Sequence, residues 1–303
     1  MEQQTETREK KKFEKFHDRY YKLLLLLPIS LILFSLIYMV IFYNTHQDII
    51  YKDVSLSGGT TITLYEKINI EQLKIDLSSK LEDLSVREVS DLITREQKAV
   101  IIETKTSGDD AKKILEDYLK HNLDDKNSSF EFTGSTLSES FYNQLLIAMV
   151  VAFLLMAAVI FLLFRTFIPS AAVVISAFAD MLMSLVVVNL LGMQISSAGI
   201  VAFLMLVGYS VDTDILLTNR VLKREGEGNL NKKIFGAFKT GITMTLAALA
   251  AVLAALVIVK PISASLSQIF EIIAIGLFFD IFNTWITNVS ILKWYIEKKE
   301  KKI

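Results

Sequence analysis

The chain has 303 residues, of which 52% are hydrophobic and 21% charged, with a formal net charge of −1 and no cysteine. A mean hydropathy of +0.43 is too apolar for an ordinary soluble domain, while the charge content is too high for a wholly buried bundle, so the two residue classes must be segregated along the chain. The balanced charge gives no support to a nucleic-acid partner, and the lack of cysteine excludes disulfides, thiolate zinc sites, iron–sulfur clusters and cysteine nucleophiles.

The first 22 residues form a basic tail carrying Lys10, Lys11, Lys12, Lys15, Arg19 and Lys22. Leu23 to Tyr43 is an uncharged run of 21 residues. A helix of about 20 residues crosses a hydrocarbon core of about 30 Å. The run is too long for a secretory signal and lacks a small-residue cleavage site, so it reads as an uncleaved anchor helix.

Residues 44–140 have a different character, with 12 Lys and Arg against 19 Asp and Glu, a local charge of −7. Thr60–Tyr65 alternates as a strand after the Gly58-Gly59 break. Asn69 is a good N-cap for a helix over Ile70–Glu82, with Leu73, Leu77 and Leu81 four apart. Val86–Ile93 and Lys98–Thr104 read as a hairpin. Gly108 opens a helix through Leu123 with Ile114, Leu115, Tyr118 and Leu119 as its apolar face, and Phe130 and Phe132 alternate in a last strand. The order βαββαβ predicts a ferredoxin-like α+β domain. This fold hosts many activities and identifies none of them.

Apolar runs resume near Phe141–Phe164, Pro169–Leu190, Ile195–Leu217, Phe235–Val259 and Ile269–Trp294. The prediction is therefore an α-helical membrane protein with six transmembrane helices, five of them in a block over 141–294, followed by a basic tail over 295–303. Lys and Arg cluster in the terminal tails, at Arg165 and in the Arg220–Lys239 stretch, whereas the short loops on the other side carry only Lys260. The positive-inside rule then puts both termini in the cytoplasm and residues 44–140 outside the cell membrane. The basic inner loops are first a topology signal and only weakly a docking surface for the lipid bilayer.

Charge inside a span is costly and faces protein or water. Asp180 lies about 16 Å along span three, near the bilayer centre, and Asp280 lies at a similar depth in span six. Asp212 and Asp214 sit toward the inner third of span four. Two residues apart on a helix, they point about 200° from each other, so both cannot face one partner. Either could instead pair with Arg220 or Lys239. Asn283, Thr284, Thr287 and Asn288 suggest a packed polar seam around Asp280, Glu271 and Lys260 read as interfacial, and Ala247, Ala251 and Ala255 form a small-residue stripe suited to close helix packing.

Three stretches carry a resemblance: VSLSGGT from Val54 to Thr60, GYSVDTDILLTNR from Gly208 to Arg220, and Asp280 with NTWITN from Asn283 to Asn288. With an outer domain between span one and five further spans, they resemble the SecF branch of the SecD/SecF family of protein-export membrane proteins, half of a resistance-nodulation-division transporter core. The resemblance runs from about Tyr20 to Ile296. Thr213 stands where the bacterial form of the motif has Asp, and Lys239-Thr240 stands where it has Arg-Thr, departures that look archaeal.

The resemblance implies pairing with a SecD-like subunit beside the Sec translocon channel. It implies help to a translocating polypeptide, driven by an ion gradient, the ion being the proton. It makes Asp180 and the Asp212–Asp214 segment the ion-pathway candidates, with Asp280 and Lys239 beside them, and places Gly208, Tyr209, Ser210, Thr213 and Arg220 in the span-four motif. Gly58 and Gly59 become hinge candidates between span one and the outer domain.

No cofactor or metal is implied and no enzyme is expected, since no Ser–His, His–Glu or Cys pairing falls within the spans. The alternative is a subunit of a small-molecule or lipid exporter of the same superfamily, for which an outer domain of this size offers little room for a substrate pocket.

Overall fold

In the computed structural model, residues 23–91, 93–223 and 230–300 are described. The basic tail over 1–22 and the last three residues lie outside them. Among the described residues six helices are long and apolar enough to cross a membrane, as predicted. They are α1 (Leu26–His46), α5 (Ser135–Phe164), α6 (Phe167–Leu190), α7 (Ser197–Lys223), α8 (Leu230–Val259) and a sixth made of α9 (Ala264–Phe282), a π-helical turn (Asn283–Asn288) and α10 (Val289–Glu300). Continuous helices satisfy every backbone group internally, which a lipid surrounding requires.

The segment between α1 and α5 holds β1 (Tyr51–Lys52), the single turn α2 (Val54–Ser57), β2 (Gly59–Leu64), α3 (Ile70–Leu77), β3 (Ser85–Ser90), β4 (Gln97–Thr104), α4 (Gly108–Leu119) and β5 (Ser128–Thr133). The last four strands form one antiparallel sheet in the order β3-β4-β2-β5. With α3 and α4 on one face, this is the ferredoxin-like arrangement. Alternation along β2 and β4 turns Ile62, Leu64, Val100 and Ile102 inward, where they meet Leu73 and Leu77 of α3 and Ala111 and Leu115 of α4. Each large apolar side chain so buried contributes about 1.5–3 kcal/mol.

Both helices are shorter than the sequence pattern suggests. After Leu77 the chain runs through tight turns in which Ser78 Oγ bonds the carbonyl of Ile75, and serine competes with the helix in this way. Leu81 still reaches the core. Lys120 adopts φ 63° and closes α4, so Leu123 enters the core from a loop whose N–H is held by Glu116 Oε1.

The membrane block has a centre and a rim. The apolar windows of α6, α7 and the sixth span are 61%, 56% and 44% buried, while those of α5 and α8 are each 6% buried. The alanine stripe does not pack inside this chain, because Ala247 and Ala251 are exposed on α8.

The outer domain is tied to the spans at its base. β1 pairs in parallel with β6 (Gln194–Ile195), the segment between α6 and α7. Asn189 Nδ2 donates to the carbonyl of Ile49 at 2.9 Å, Tyr142 Oη to Asp48 Oδ1 at 2.6 Å, and the N–H of Ser90 to the carbonyl of Pro261 at 2.7 Å. Gln268 of α9 accepts from the N–H and hydroxyl of Ser196 and donates to the carbonyl of Gln194. Ser197 N–H reaches Ser55 Oγ, which in turn donates to Asp53.

Gly58 and Gly59 lie in this joint with φ of 82° and 142°. A Cβ on Gly58 would stand 2.5 Å from Ser135 Cα, and one on Gly59 would stand 2.4 Å from the Thr104 carbonyl oxygen. Glycine is therefore required for close packing as well as for backbone freedom.

A cleft of about 670 Å³ opens between the sheet and the α6–α7 loop with the first turns of α9, lined in part by Lys74, Arg87, Glu88, Lys260 and Glu271. The small size of the outer domain does not leave the protein without room for a ligand. The space is made by the domain and the block together.

Candidate functional site

Where α6, α7 and the sixth span cross, three carboxyl side chains meet. Asp180, Asp214 and Asp280 are each 0% exposed, so none is shared with a surrounding solvent or lipid. Asp180 accepts from Ser210 Oγ and from Asn283 Nδ2 at 2.7 Å. Asp280 accepts on Oδ1 from Thr213 at 2.8 Å and Thr284 at 3.2 Å, and on Oδ2 from Thr245 of α8 at 3.3 Å. Asp214 accepts on Oδ1 from Asn288 Nδ2 at 2.7 Å. Every side-chain partner of these three carboxyls among the described residues is a neutral hydroxyl or amide. Several like charges buried together without a cation are mutually unfavourable, so at most part of this cluster can be ionised at one time.

The sixth span owes this geometry to its π-helical turn. Asn283 bonds Asp180, Thr284 bonds Asp280, and Asn288 bonds Asp214, so one short segment serves three carboxyls. An α-helix would spread these side chains over a wider arc, and single π turns recur at functional sites. Thr287 Oγ1 donates to Asn283 Oδ1 at 3.1 Å and fixes that amide. The Trp285 ring fills the space beside Gly241, where a Cβ would approach Cζ2 to 2.4 Å.

Not all predicted residues join the cluster. Asp212 is exposed on the opposite face of α7, with no side-chain hydrogen bond or ion pair among the described residues. Gly208 and Tyr209 share that open face, whereas Ser210 and Thr213 point into the cluster. Lys239 is exposed on α8. Arg220 sits near the C-terminal end of α7, where its Nη1 donates to Thr240 Oγ1 at 3.3 Å beside Gly236. Asp214 Oδ1, a candidate partner for Arg220 or Lys239, is met by Asn288 Nδ2. Thr245 and Ser176 enter the site without having been singled out, and Lys293 is 2% exposed with its Nζ donating to Asn231 Oδ1.

On the side toward residues 44–140 the cluster is closed by apolar packing. Leu206, Leu277, Phe203 and Ile273 belong to one core, and Leu206 seats on Gly276 so closely that an added Cβ would stand 2.2 Å from Leu206 Cδ1.

At the base of the outer domain, Asp53 caps α2, and burial raises its carboxyl above the usual range. Burial also raises Glu103, which pairs with Arg87 at 2.9 Å. Asp48 is pushed up by its burial, but Lys52 and Tyr142 outweigh that and its carboxyl is lowered overall.

Residues 113–298 match the family described as protein export membrane protein SecD/SecF, C-terminal. The protein-export membrane protein SecF of Methanocaldococcus jannaschii is 38% identical over 291 residues, covering 93% of this chain and 99% of that one. The SecF of Pyrococcus furiosus is 34% identical over 284 residues, covering 93% of each. Among solved structures, SecDF of Thermus thermophilus, a translocon-associated membrane protein, has a TM-score of 0.69 at 17% identity, covering 91% of this chain. The present chain spans only 38% of that SecDF chain. By family match and by near full-length relatives, the chain belongs to the SecD/SecF family of protein-export membrane proteins, on its SecF branch.

Proposed function

We propose that this protein is an accessory subunit of Sec-dependent protein export, pairing with a SecD-like subunit beside the Sec translocon channel. It uses a transmembrane ion gradient, the proton gradient by family resemblance, to assist translocation or release of polypeptide. It lies in the cell membrane with both termini in the cytoplasm and residues 44–140 outside, the orientation favoured by its loop charges. Family membership supports the export role. The pairing is supported by the open faces of α5 and α8 and by a SecDF neighbour in which an equivalent of this chain is a minor share of the length.

The observation that carries the ion coupling is the buried trio of Asp180, Asp214 and Asp280, held only by neutral donors. Gain or loss of one positive charge there changes the balance among three packed helices. α9 provides a lever from the pocket to the outer domain. Asp280 and Gln268 lie on it about 18 Å apart, and Gln268 holds Ser196 and the carbonyl of Gln194, the latter in the strand paired with β1. A shift of α9 is thereby delivered to the base of the outer domain. The charged cleft at that base has room for an extended polypeptide segment.

Two measurements on native membranes test the reading. Gentle solubilisation and affinity purification recover a SecD-like chain with this one, and deletion of the gene slows release of secreted proteins. Recovery of the chain alone, together with normal secretion in the deletion strain, would refute it.

A further inference from the structure

Where α5, α6 and α7 meet beside the base of the outer domain, the packing leaves a cavity of about 200 Å³. Leu146 and Met149 line it from α5, Met181 and Leu185 from α6 and Phe203 from α7, and Ile50, between α1 and β1, completes the wall. Every lining residue is apolar. Helical spacing explains the shape. Tyr142, Leu146, Met149 and Phe153 share one face of α5, and Phe178, Met181 and Leu185 share one face of α6. The Phe153 and Phe178 rings meet edge-on with centroids 6.1 Å apart and close the end farther from the outer domain. From Phe178 to Leu185 the helix rises about 10 Å, so the space is long and narrow.

The lining decides what can enter. Without a polar side chain the cavity holds no water, and apolar cavities of about 150 Å³ stay dry and take small hydrocarbons. Left empty, it would forfeit the dispersion contacts of its whole wall in an otherwise close-packed interior. A peptide or sugar would find no hydrogen-bond partner there, and a partner helix about 10 Å across is too wide. Phe178 lines the cavity and is 40% exposed, and Ile147 and Val150 nearby on α5 are 63% and 56% exposed, so the cavity communicates with the apolar outer surface of the spans. The other end is polar. One turn from Leu146 toward the outer domain, the Tyr142 ring lies 4.7 Å from Lys52 Nζ, which also pairs with Asp48 Oδ2 at 2.7 Å. The Lys52 side chain is still 27% exposed, and an ammonium has three donors, so it can also meet a phosphate.

We propose that this cavity holds one hydrocarbon chain of a bilayer lipid, drawn from the leaflet on the side of residues 44–140, with the lipid phosphate at Lys52. An apolar slot that opens on the lipid-facing surface and ends at a cation beside a tyrosine matches the two parts of such a molecule, and tyrosine is favoured at the level of lipid headgroups. The chain bears on Ile50 and Ile195, and Ile195 belongs to the strand that pairs with β1. A lipid is thereby built into the joint between the spans and the outer domain, away from the carboxyl cluster.

The test is photolabelling of the full-length protein in lipid nanodiscs containing an anionic phospholipid with a diazirine midway along one chain, the adducts being mapped by peptide mass spectrometry. In the wild type the adducts concentrate in residues 145–153 and 178–185 and exceed those on the exposed face of α8. Met181→Phe and Leu185→Phe fill the cavity and lower that labelling by at least about fivefold. Val150→Phe, which adds bulk on the exposed face of α5, leaves it unchanged. Lys52→Gln lowers it by removing the phosphate contact. Helicity and the thermal midpoint are recorded for every variant, and the wild-type adduct map stands without them. Equal labelling of α5 and α8 in the wild type overturns the proposal, as does unchanged labelling in the folded cavity-filling variants or in Lys52→Gln. Loss of the adducts when a SecD-like chain is present would show a partner side chain in the cavity and overturn it too.

Discussion

Asn283 is the most informative single position in the membrane block. It donates to Asp180 Oδ1 at 2.7 Å and accepts from Thr287 Oγ1 at 3.1 Å, with no exposure of its own. Asn283→Ala leaves a buried carboxyl oxygen without its donor, which costs about 1–3 kcal/mol, and strands the Thr287 hydroxyl for about 1 kcal/mol more. The expected loss is therefore about 2–4 kcal/mol, measured by denaturant unfolding in mixed micelles with helicity as the readout. Part of that loss depends on Asp180. In an Asp180→Leu background the stranded oxygen no longer exists, so Asn283→Ala costs less by about 1–2 kcal/mol, within the usual coupling of contacting residues. A loss below about 0.5 kcal/mol, or the same loss in both backgrounds, would show that the π turn does not hold the carboxyl cluster together.

Other positions give separate checks. Gly58→Ala sets a Cβ at φ 82° and 2.5 Å from Ser135 Cα, so it destabilises the junction by more than about 2 kcal/mol and speeds proteolysis between the outer domain and the membrane block. Gln268→Leu removes the acceptor of the Ser196 N–H, and amide exchange at Ser196 rises roughly 2- to 10-fold while the core of the outer sheet is unaffected. Asp53 is raised by burial, so the folded state holds its proton more tightly than the unfolded chain does. Its favourable contribution is complete below the unfolded value of about 3.9 and is lost as pH rises through the raised folded value. Asp53→Asn, which retains an acceptor for the α2 cap, gains stability relative to wild type near neutral pH and none near pH 4, as unfolding midpoints across that range would show.

The six spans and the outer fold are legible in the sequence because each rests on a local pattern. A charge-free run long enough to cross a bilayer can be counted, and the alternation in β2 and β4 names their inward faces. Errors of extent fall at helix ends, where Ser78 and Lys120 stop α3 and α4 early for local reasons that spacing does not reveal.

The cluster itself is less legible. The 200° separation shows that Asp212 and Asp214 cannot share a partner, but only the neighbouring helices decide that Asp214 is inside. The π turn shifts register within an unbroken polar stretch, so its three amide and hydroxyl contacts cannot be read from helical periodicity. Ser176 is a single hydroxyl in an apolar run and gives no signal until the helices pack. The alanine stripe has the spacing of an interface and lies open in this chain, a pattern that reports a capacity to pack and not the identity of the partner.

If ion occupancy of the buried carboxyl cluster drives a step of protein export, removing one of its carboxylates slows release of secreted polypeptide. Pulse-chase secretion of a signal-peptide-bearing reporter tests it most directly, in a deletion strain complemented with wild type, Asp180→Asn, Asp214→Asn or Asp280→Asn, each verified for membrane level and for recovery of the SecD-like chain. The variants are expected to accumulate normally, keep their partner and release the reporter as slowly as the deletion strain. Wild-type release rates in all three variants would contradict it.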